Sequence, residues 1–421
     1  MSIVTRYRRP LSGRDFRLLW FGSSLSLVGD GMTFVALAWL VLSQPDGTAR
    51  LGLLTVCYTL PVFAGGLLAG PVLDRFDKRR VLAADSVIRG AAMAAIPVAA
   101  AVGEVPQALP YVVAAIYGLF KMVPLAAFPA AIPDLVSEED RDAANALESL
   151  SFSLAGMVGP ALGGLLIAGV GAEAVLAFDA VSYAVFAACS LLVRRRLFTS
   201  PSRAGTPPAG ASRLLRDRAL VVTTVAFMAF NVAMGMLMVV GPWLAKTQLP
   251  GGPQALGFLL AALSAGELVG AAAAGARSPG SRPLRAIGLV QAVAAMGFLA
   301  VLAAPHTPGV AAGFLLIGMF SAPMTVWAQT VRMARIPAEL RGRGFAWLRT
   351  LMQATPPLGA ALVTPLLDAG RLLPASLAMA GLALVPAFAL LLSADHPGDE
   401  RRQGGHAEAR VGDRAASDLA G

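Results

Sequence analysis

Long apolar stretches alternate with short polar segments along almost the whole chain. A helix needs about 20 apolar residues to cross the hydrocarbon core of a bilayer, and each stretch reaches that length. The pattern therefore predicts twelve membrane-spanning helices. The predicted spans lie near 18–42, 51–73, 81–102, 108–133, 144–168, 173–193, 219–245, 254–276, 284–304, 308–330, 344–367 and 371–393.

The composition also indicates a membrane protein. Apolar residues make up 56% of the 421-residue chain and charged residues only 14%, and the mean hydropathy is +0.67. Soluble domains contain about 25% charged residues, and a soluble fold of this size could not bury so much apolar surface. The two cysteines, Cys57 and Cys189, lie within apolar stretches, and the histidines show no metal-ligand spacing. We therefore expect no disulfide, metal or cofactor.

Basic residues predict the orientation in the membrane. Alternate connections between the spans, together with the N-terminus, carry 26 of the 34 lysines and arginines, whereas the opposite connections carry three. Short basic connections stay on the cytoplasmic side. Both termini are therefore expected in the cytoplasm, in the cell membrane of a bacterium. The net charge of +9 then reflects topology and contact with the lipid bilayer, and it argues against a nucleic-acid partner.

The chain divides into two similar halves. A segment rich in Arg, Pro, Gly and Ser separates six predicted spans from six. Glu139 and Arg141 lie 200 residues before Glu339 and Arg341, in related local sequences. Two halves of the same orientation predict parallel repeats with a binding site between them near the midplane. The predicted divisions are a cytoplasmic N-terminus at 1–17, six-helix bundles at 18–193 and 219–393, a linker at 194–218 and a disordered cytoplasmic tail at 394–421.

A dense charged turn, GPVLDRFDKRR at residues 70–80, separates the second and third spans. A basic loop on the cytoplasmic side explains its arginines and lysine. It does not explain Asp74 and Asp77, because a topology signal needs no acidic residues. A carboxylate at a helix end can cap backbone N–H groups or pair with an arginine. The turn therefore has two interpretations, a topology signal alone or a loop with a further role.

The fifth predicted span contains GMVGPALGG, residues 156–164. Pro160 removes one helical N–H donor and bends the helix. The glycines around it leave a flat surface, on which a neighbouring helix can approach closely. Close packing alone is a sufficient explanation for small residues in a span, so the segment by itself does not indicate a function.

Several segments together resemble the major facilitator superfamily of transporters over about residues 12–393. The similarity is to bacterial exporters of the enterobactin and macrolide efflux branch. It implies an all-α membrane protein with twelve transmembrane helices in two parallel six-helix bundles around a central cavity. The segments are LLWFGSSLSLVGDGMTFVALAWLVL in span 1, GPVLDRFDKRRVL after span 2, IPDLVSEEDRDAANALESLSFSLAGMVGPALGGLL through span 5 and ELRGR before span 11.

The resemblance implies roles for both motifs. The charged turn matches the superfamily pattern Gly-x-x-x-Asp-Arg-x-Gly-Arg-Lys, except that Asp77 replaces the second glycine. The resemblance implies that Asp74 links the cytoplasmic ends of the two halves in one state of the transport cycle. The second half contains no matching aspartate. The span 5 segment resembles a motif of exporters that exchange drug for proton. The implied gate residues are Gly70, Asp74, Arg75, Lys78, Arg79, Glu339 and Arg341, and the antiporter-like residues are Gly156, Gly159, Pro160, Gly163 and Gly164.

Charged residues also lie inside the predicted spans, where an ionised side chain costs at least about 2.5–3.5 kcal/mol. Asp30 lies midway along span 1 and Lys121 midway along span 4, and in the implied fold both spans line the cavity. We expect the two to share the cavity and to pair, either structurally or as coupling and substrate charges. Glu267 in span 8 is a second proton-carrier candidate, and Asp179 in span 6 is expected to be structural.

Methionine and aromatic side chains in spans 4, 7 and 10 are candidates for an adaptable apolar pocket. Met234 and Trp327 are the members that we select as cavity residues. The same residue types are equally common in helix cores and on lipid-facing surfaces, so this assignment competes with an ordinary packing role.

These observations predict a secondary active exporter, not an enzyme, which moves a small organic molecule in exchange for protons and acts as a monomer. The substrate is expected to be a drug, a siderophore or another secondary metabolite. No P-loop sequence occurs, so ATP is not the expected driver. An uptake permease of the same fold is one alternative. A non-transporting scaffold or a membrane-embedded enzyme is another, although the sequence contains no His-Glu-x-x-His motif or nucleophile elbow.

Overall fold

The computed structural model describes most of the chain, and all regular structure in the described residues is helical. In this part of the chain, eleven helices are long and apolar enough to cross a membrane. The predicted span 344–367 is described only in part, as a helix from Pro356 to Asp368. The described residues are 3–197, 217–277, 279–336, 348, 351–352 and 354–393.

We number the described helices in chain order. They are α1 (Ile3–Ser12), α2 (Arg14–Leu42), α3 (Gly47–Arg75), α4 (Lys78–Val102), α5 (Leu109–Phe120), α6 (Met122–Leu135), α7 (Arg141–Val170), α8 (Ala172–Leu192), α9 (Arg218–Thr247), α10 (Pro253–Ala276), α11 (Pro283–Gly297), α12 (Thr307–Arg335), α13 (Pro356–Asp368) and α14 (Leu372–Leu392). Helices α5 and α6 together form one span, and a 3₁₀ segment, Phe298–Ala303, continues α11.

The third span begins earlier than the sequence predicted. Helix α4 starts at Lys78 because the Asp77 side chain caps it and accepts a hydrogen bond from the Arg79 backbone N–H at 3.2 Å. Arg89 is one of the 26 basic residues that were counted with the N-terminus and the basic connections, although it lies within the predicted span 81–102. Arg89 instead lies near the middle of α4, where its side chain is only 1% exposed.

Helix packing repeats in the two halves. In the first half, α2 packs on α7 and α8, α3 packs on α5, and α4 packs on α8. In the second half, six spans later, α9 packs on α13 and α14, α10 packs on α12, and α11 packs on α14. Equivalent helices therefore have equivalent partners, as expected for parallel repeats.

The two halves meet where α7 contacts α10 and where α3 contacts α13. We call the end of the bundle that carries Arg14, Arg75 and Arg141 the basic end, and the opposite end the far end. The halves approach closely at the far end. There, Lys246 Nζ of α9 lies 4.9 Å from the ring centre of Trp39 on α2.

Glycines on α7 allow two neighbouring helices to come close. At Gly159 an added Cβ would lie 2.6 Å from the carbonyl oxygen of Val28 on α2. At Gly164 an added Cβ would lie 3.1 Å from the Cα of Gly257 on α10. Helix α7 thus connects α2 of its own half to α10 of the other half. The remaining residues of the segment extend these contacts, with Gly163 against α2, Gly156 against α10 and Pro160 between them.

We predict that Gly159→Ala destabilises the protein. The new methyl group would meet the backbone of α2, so the two helices would have to separate, at a cost of about 1–3 kcal/mol. Gly169→Ala on the same helix is the matched control, because nothing lies within 4 Å of an added Cβ at that position. Thermal unfolding of the purified proteins in detergent measures the difference. Equal melting temperatures for the two variants would contradict the close approach of α2 and α7.

Candidate functional site

Arg89 is the centre of a buried polar cluster in the first half. Its Nε and Nη2 donate to Asp85 Oδ2 at 3.1 Å and 2.5 Å, one turn earlier on α4. Its Nη1 donates to Tyr183 Oη on α8 at 2.8 Å and lies 3.5 Å from both carboxylate oxygens of Asp30 on α2. The Tyr183 hydroxyl donates in turn to Asp30 Oδ1. One guanidinium therefore joins α2, α4 and α8, and we call these four residues the Arg89 cluster.

Two carboxylates share this one guanidinium. An ion inside the bundle is tolerated only when nearby groups compensate its charge and satisfy its hydrogen bonds. With Asp30 and Asp85 both ionised, the cluster carries an excess negative charge, and one added proton removes it. The charge balance of the cluster is therefore sensitive to a single protonation.

Aromatic rings surround the guanidinium. The Arg89 Cζ lies 4.5 Å from the ring centre of Tyr183 and 5.9 Å from that of Tyr117 on α5. Tyr117 stacks on Tyr58 of α3, with the ring centres 4.9 Å apart. A cation over an aromatic face is stabilised more strongly when water is excluded. The rings therefore add attraction without adding charge, and they bring α3 and α5 into contact with the cluster.

The predicted pair of Asp30 and Lys121 is not found, and the ion-pair partner of Asp30 is Arg89. Lys121 lies at the junction of α5 and α6, and its Nζ is 5.2 Å from the ring centre of Tyr58. The physical reason is that the Asp30 carboxylate already has Arg89 and Tyr183 as partners. Lys121 makes a cation–π contact instead.

Asp179 on α8 is a further buried carboxylate, with no exposed surface. It accepts hydrogen bonds from the Thr33 hydroxyl of α2 and from Ser182 Oγ, the latter at 2.9 Å. Both donors are neutral. The bond from Thr33 joins α2 to α8 about one turn from Tyr183, towards the far end, whereas the bond from Ser182 lies within α8.

Accessibility distinguishes the three carboxylates. The Asp30 side chain is 16% exposed, whereas that of Asp85 is 1% exposed and Asp179 is fully buried. A proton or a polar substrate can therefore reach Asp30 most directly. Asp30 is therefore the most accessible carboxylate of the Arg89 cluster.

The sequence analysis missed Arg89, Asp85 and Tyr183. Arg89 was counted with the basic connection although it lies inside the predicted span 81–102, and Asp85 and Tyr183, which also lie inside predicted spans, were not considered. A usable signal was present in DSVIR, residues 85–89, which places an acid and a base four residues apart within an apolar stretch. Such a spacing puts both side chains on the same helix face.

The other predicted cavity residues lie in the second half. Glu267 is exposed on α10, and Met234 is half-buried on α9. Trp327 on α12 donates its Nε1–H to the carbonyl oxygen of Arg277 at 3.2 Å, next to the basic end of α10. The contacts of the described residues do not join these three to the Arg89 cluster. A cavity shared with Asp30 and Lys121 therefore stays a prediction.

The charged turn is organised around Asp77. Its carboxylate accepts hydrogen bonds from Arg79 Nε at 2.8 Å and from the Leu197 N–H at 3.2 Å. Arg79 Nη1 donates to the Val193 carbonyl oxygen at 2.8 Å. The turn between α3 and α4 is thereby fastened to the segment that follows α8. Asp77, which replaces the second glycine of the superfamily motif, thus holds the turn in place.

The remaining gate residues are placed only in part. Lys78 is fully buried, with Nζ 3.8 Å from Asp134 Oδ2 of α6. Gly70 is half-buried on α3, and within the described ranges neither Asp74 nor Arg75 forms an ion pair. Two further gate residues, Glu339 and Arg341, lie outside the described residues. The gate across the two halves therefore stays a prediction.

Membrane-spanning helices in two repeating halves, with a charge cluster held inside one of them, define a multi-pass membrane transporter. The sequence matches the Major Facilitator Superfamily over residues 19–360, and the chain belongs to this family. The match confirms the resemblance and the fold class predicted from the sequence. It also confirms the prediction that the protein is a transporter rather than an enzyme.

Relatives in this family include exporters. The chain is 27% identical over 385 residues to the multidrug efflux pump Tap of Mycobacterium tuberculosis, covering 86% of this chain and 89% of the relative. It is also 27% identical over 342 residues to the enterobactin exporter EntS of Salmonella typhimurium, covering 78% of this chain and 80% of the relative.

Solved structures support the fold. The nucleoside transporter NupG superposes with a TM-score of 0.71 at 13% identity, covering 90% of this chain and 98% of that chain. The peptide transporter POT, in complex with sulfate, superposes with a TM-score of 0.74 at 13% identity, covering 90% and 94%. At this identity the likeness shows the fold alone.

We predict that Arg89→Met strongly destabilises the protein. Without Arg89, the carboxylates of Asp30 and Asp85 lose their cation inside the bundle, and breaking a buried ion pair from one side costs about 3–5 kcal/mol. The double variant Arg89→Met/Asp85→Leu should recover part of the loss, since it also removes one uncompensated acid. Arg285→Met is the control, because Arg285 is exposed and has no ion pair within the described ranges.

The measurement is the fraction of protein that stays monodisperse in gel filtration after heating in detergent. If Arg89→Met were as heat-resistant as Arg285→Met, the Arg89 cluster would not be a source of stability. If the double variant were less stable than Arg89→Met alone, the charge-compensation argument would be wrong.

Proposed function

We propose that this chain is a secondary active exporter, which exchanges a small organic molecule for protons by alternating access. The observation that carries the proposal is the position of Asp30. It is a partly accessible carboxylate near the middle of α2, and its oxygens are held by Arg89 and Tyr183. Gaining or losing one proton there changes the interactions that hold three helices together.

Protonation of Asp30 acts on the position of α2. The ionised carboxylate attracts Arg89 and accepts the hydrogen bond from Tyr183. A proton removes that attraction, and Arg89 remains bound to Asp85. Helix α2 is then less firmly held against α4 and α8.

The effect reaches the second half through α7. Helix α2 lies directly against α7 at Gly159, and α7 lies against α10 at Gly164. A shift of α2 therefore changes the surface on which the two halves meet. Proton binding favours one arrangement of the halves and proton release favours the other, which is the requirement for coupled alternating access.

Export is the direction that the relatives favour, since one of them is named a multidrug efflux pump and another an enterobactin exporter. The Gly-Pro segment of α7, with its resemblance to drug–proton antiporters, favours the same direction. We assign as substrate class an amphipathic organic molecule, such as a macrolide-like drug, a siderophore or another secondary metabolite. Met234, Trp327 and Glu267 are the residues of the second half that we assign to its cavity.

The basic end faces the cytoplasm in this proposal. Basic connections are retained on that side of a bacterial cell membrane, which places both termini inside. Protons then enter from the far end down their gradient while the substrate leaves. The protein acts as a monomer, because each chain contains both halves.

The charged turn at the basic end acts as a gate. Asp74 and Arg75 end α3 at the face where the two halves must separate for substrate to enter from the cytoplasm. Asp74 pairs across the halves in the state that is closed at this end, with Glu339 and Arg341 belonging to the same gate.

The direct test of the proposal is transport driven by a pH gradient. Inside-out membrane vesicles that contain the protein should accumulate a labelled macrolide or enterobactin when their lumen is acidified. Asp30→Asn mimics the protonated side chain, so we expect its gradient-driven accumulation to fall to the level of empty vesicles. Glu104→Gln is the matched control, because Glu104 lies on an exposed connection at the far end.

Other results would contradict the role of Asp30 or the direction of transport. A wild-type, pH-independent rate in Asp30→Asn would remove Asp30 as the proton carrier, and loss of coupling in Glu267→Gln alone would assign that role to Glu267. Higher substrate levels in intact cells that express the protein would indicate an uptake permease and would overturn the export assignment.

We predict that substitutions at Asp74 and Asp77 affect different properties, transport for Asp74 and stability for Asp77. Asp77→Asn weakens hydrogen bonds to a charged group, each of which contributes about 1.5–3 kcal/mol, so its melting temperature should fall. Asp74→Asn removes a half-exposed charge that has no ion pair within the described residues, so its melting temperature should stay unchanged while transport falls. Wild-type transport by Asp74→Asn would contradict the gate.

A further inference from the structure

A cavity of about 700 Å³ lies between α3, α4 and the junction of α5 with α6. Along α3 it extends from Gly65 to Arg75, and along α4 from Arg80 to Ile88. It therefore occupies the half of the bundle that is nearest the basic end. Helices α3 and α4 have little contact with each other, and exposed residues of both border the cavity, so we place its opening between them.

Most residues that line the cavity away from its rim are apolar. Leu68 on α3 is 58% exposed and Ile88 on α4 is 41% exposed, and both lie at the opening. The ten residue steps from Gly65 to Arg75 span about 15 Å of helix. That length equals one leaflet, which is half of the hydrocarbon thickness of about 30 Å. The cavity thus has the depth and the lining of a site for a lipid acyl chain.

Three arginines form the rim at the basic end, and they are Arg75, Arg80 and Arg196. All three are exposed, and none of them forms an ion pair within the described ranges. The neighbouring Arg79, in contrast, is bound to Asp77. Arginine binds phosphate oxygens through paired N–H donors, so three unpaired guanidinium groups at headgroup depth fit a phosphate.

Two acidic residues border the cavity, Asp77 at the basic end and Asp85 at the inner end. The Asp77 carboxylate is buried and accepts hydrogen bonds from Arg79 and from the Leu197 N–H. Asp85 is only 1% exposed, and Arg89 holds its Oδ2. It therefore offers little carboxylate surface to a molecule in the cavity. The accessible charge is the positive rim, which repels an amphipathic cation and attracts an anion.

We propose that this cavity binds an anionic phospholipid from the leaflet at the basic end. The phosphate lies among Arg75, Arg80 and Arg196, and one acyl chain lies along α3 and α4. The occupant enters sideways from the bilayer, because the opening lies between these two helices. Asp30 does not line this site, although the site shares Arg75 with the proposed gate and borders Asp85 of the Arg89 cluster.

Native mass spectrometry of the purified full-length protein tests the proposal. Delipidated protein is mixed with phosphatidylglycerol or with phosphatidylcholine of the same acyl chains, and the bound lipid is counted at increasing concentrations. We expect phosphatidylglycerol to bind more tightly. In Arg75→Gln/Arg80→Gln/Arg196→Gln its affinity should fall about tenfold or more, because each arginine near a lipid surface contributes attraction to anionic headgroups.

Two further variants control for general effects. Arg218→Gln/Arg282→Gln/Arg285→Gln removes the same charge from exposed arginines at the basic end of the second half, and it should bind phosphatidylglycerol like the wild type. Ala84→Phe keeps the rim and fills the cavity, since Ala84 is an exposed residue of its wall. It should lose the lipid as well. Melting temperatures show whether each variant is folded.

Four outcomes would overturn the proposal. These are equal binding of the two lipids, equal loss in both arginine variants, unchanged binding in folded Ala84→Phe, and displacement of the lipid by inorganic phosphate. The first two would indicate nonspecific attraction, the third would place the lipid elsewhere, and the fourth would mean that the rim binds a free anion. A fifth outcome, preferential binding of an amphipathic cation that competes with the lipid, would also exclude the proposal.

Discussion

Hydrocarbon does not solvate a charge, and this constraint organises the first half of the protein. Arg89 lies near the middle of α4, so its guanidinium must find every partner within the bundle. The partners of the guanidinium are Asp85 on the same helix, Asp30 on α2 and Tyr183 on α8. The same bonds that make the charge tolerable also fix three helices relative to one another. In the proposed mechanism, a proton on Asp30 alters that arrangement.

Close packing between helices connects this local change to the second half. Glycines at 159 and 163 leave α2 and α7 without intervening side chains, and Gly164 does the same for α7 and α10. Helices in contact through their backbones cannot absorb a shift by rotating side chains, so they move together. A polar cluster confined to one half can therefore act on the contact between the halves.

Features set by length and composition could be predicted from the sequence, and features set by converging side chains could not. The spans and the two halves followed from the thickness of a bilayer and from the repeat. The centre of the cluster was missed because Arg89 was counted as a topology signal, although it lies within the predicted span 81–102 and near the middle of α4. The predicted pairing of Asp30 with Lys121 rested only on the depth of the two residues in the membrane. Depth does not specify which way a side chain points around its helix.

The coupling of Asp30 to the two halves is tested most directly by the distance between them. Spin labels at Asn145→Cys on α7 and Gly275→Cys on α10 report on the basic ends of two helices that meet near the far end, in a background with Cys57→Ala and Cys189→Ala. Pulsed electron paramagnetic resonance should show a distance that changes between neutral and acidic pH. With Asp30→Asn added, the distance should keep its acidic value at both. A distance that does not respond to pH, or that responds equally in the Asp30→Asn protein, would contradict the account.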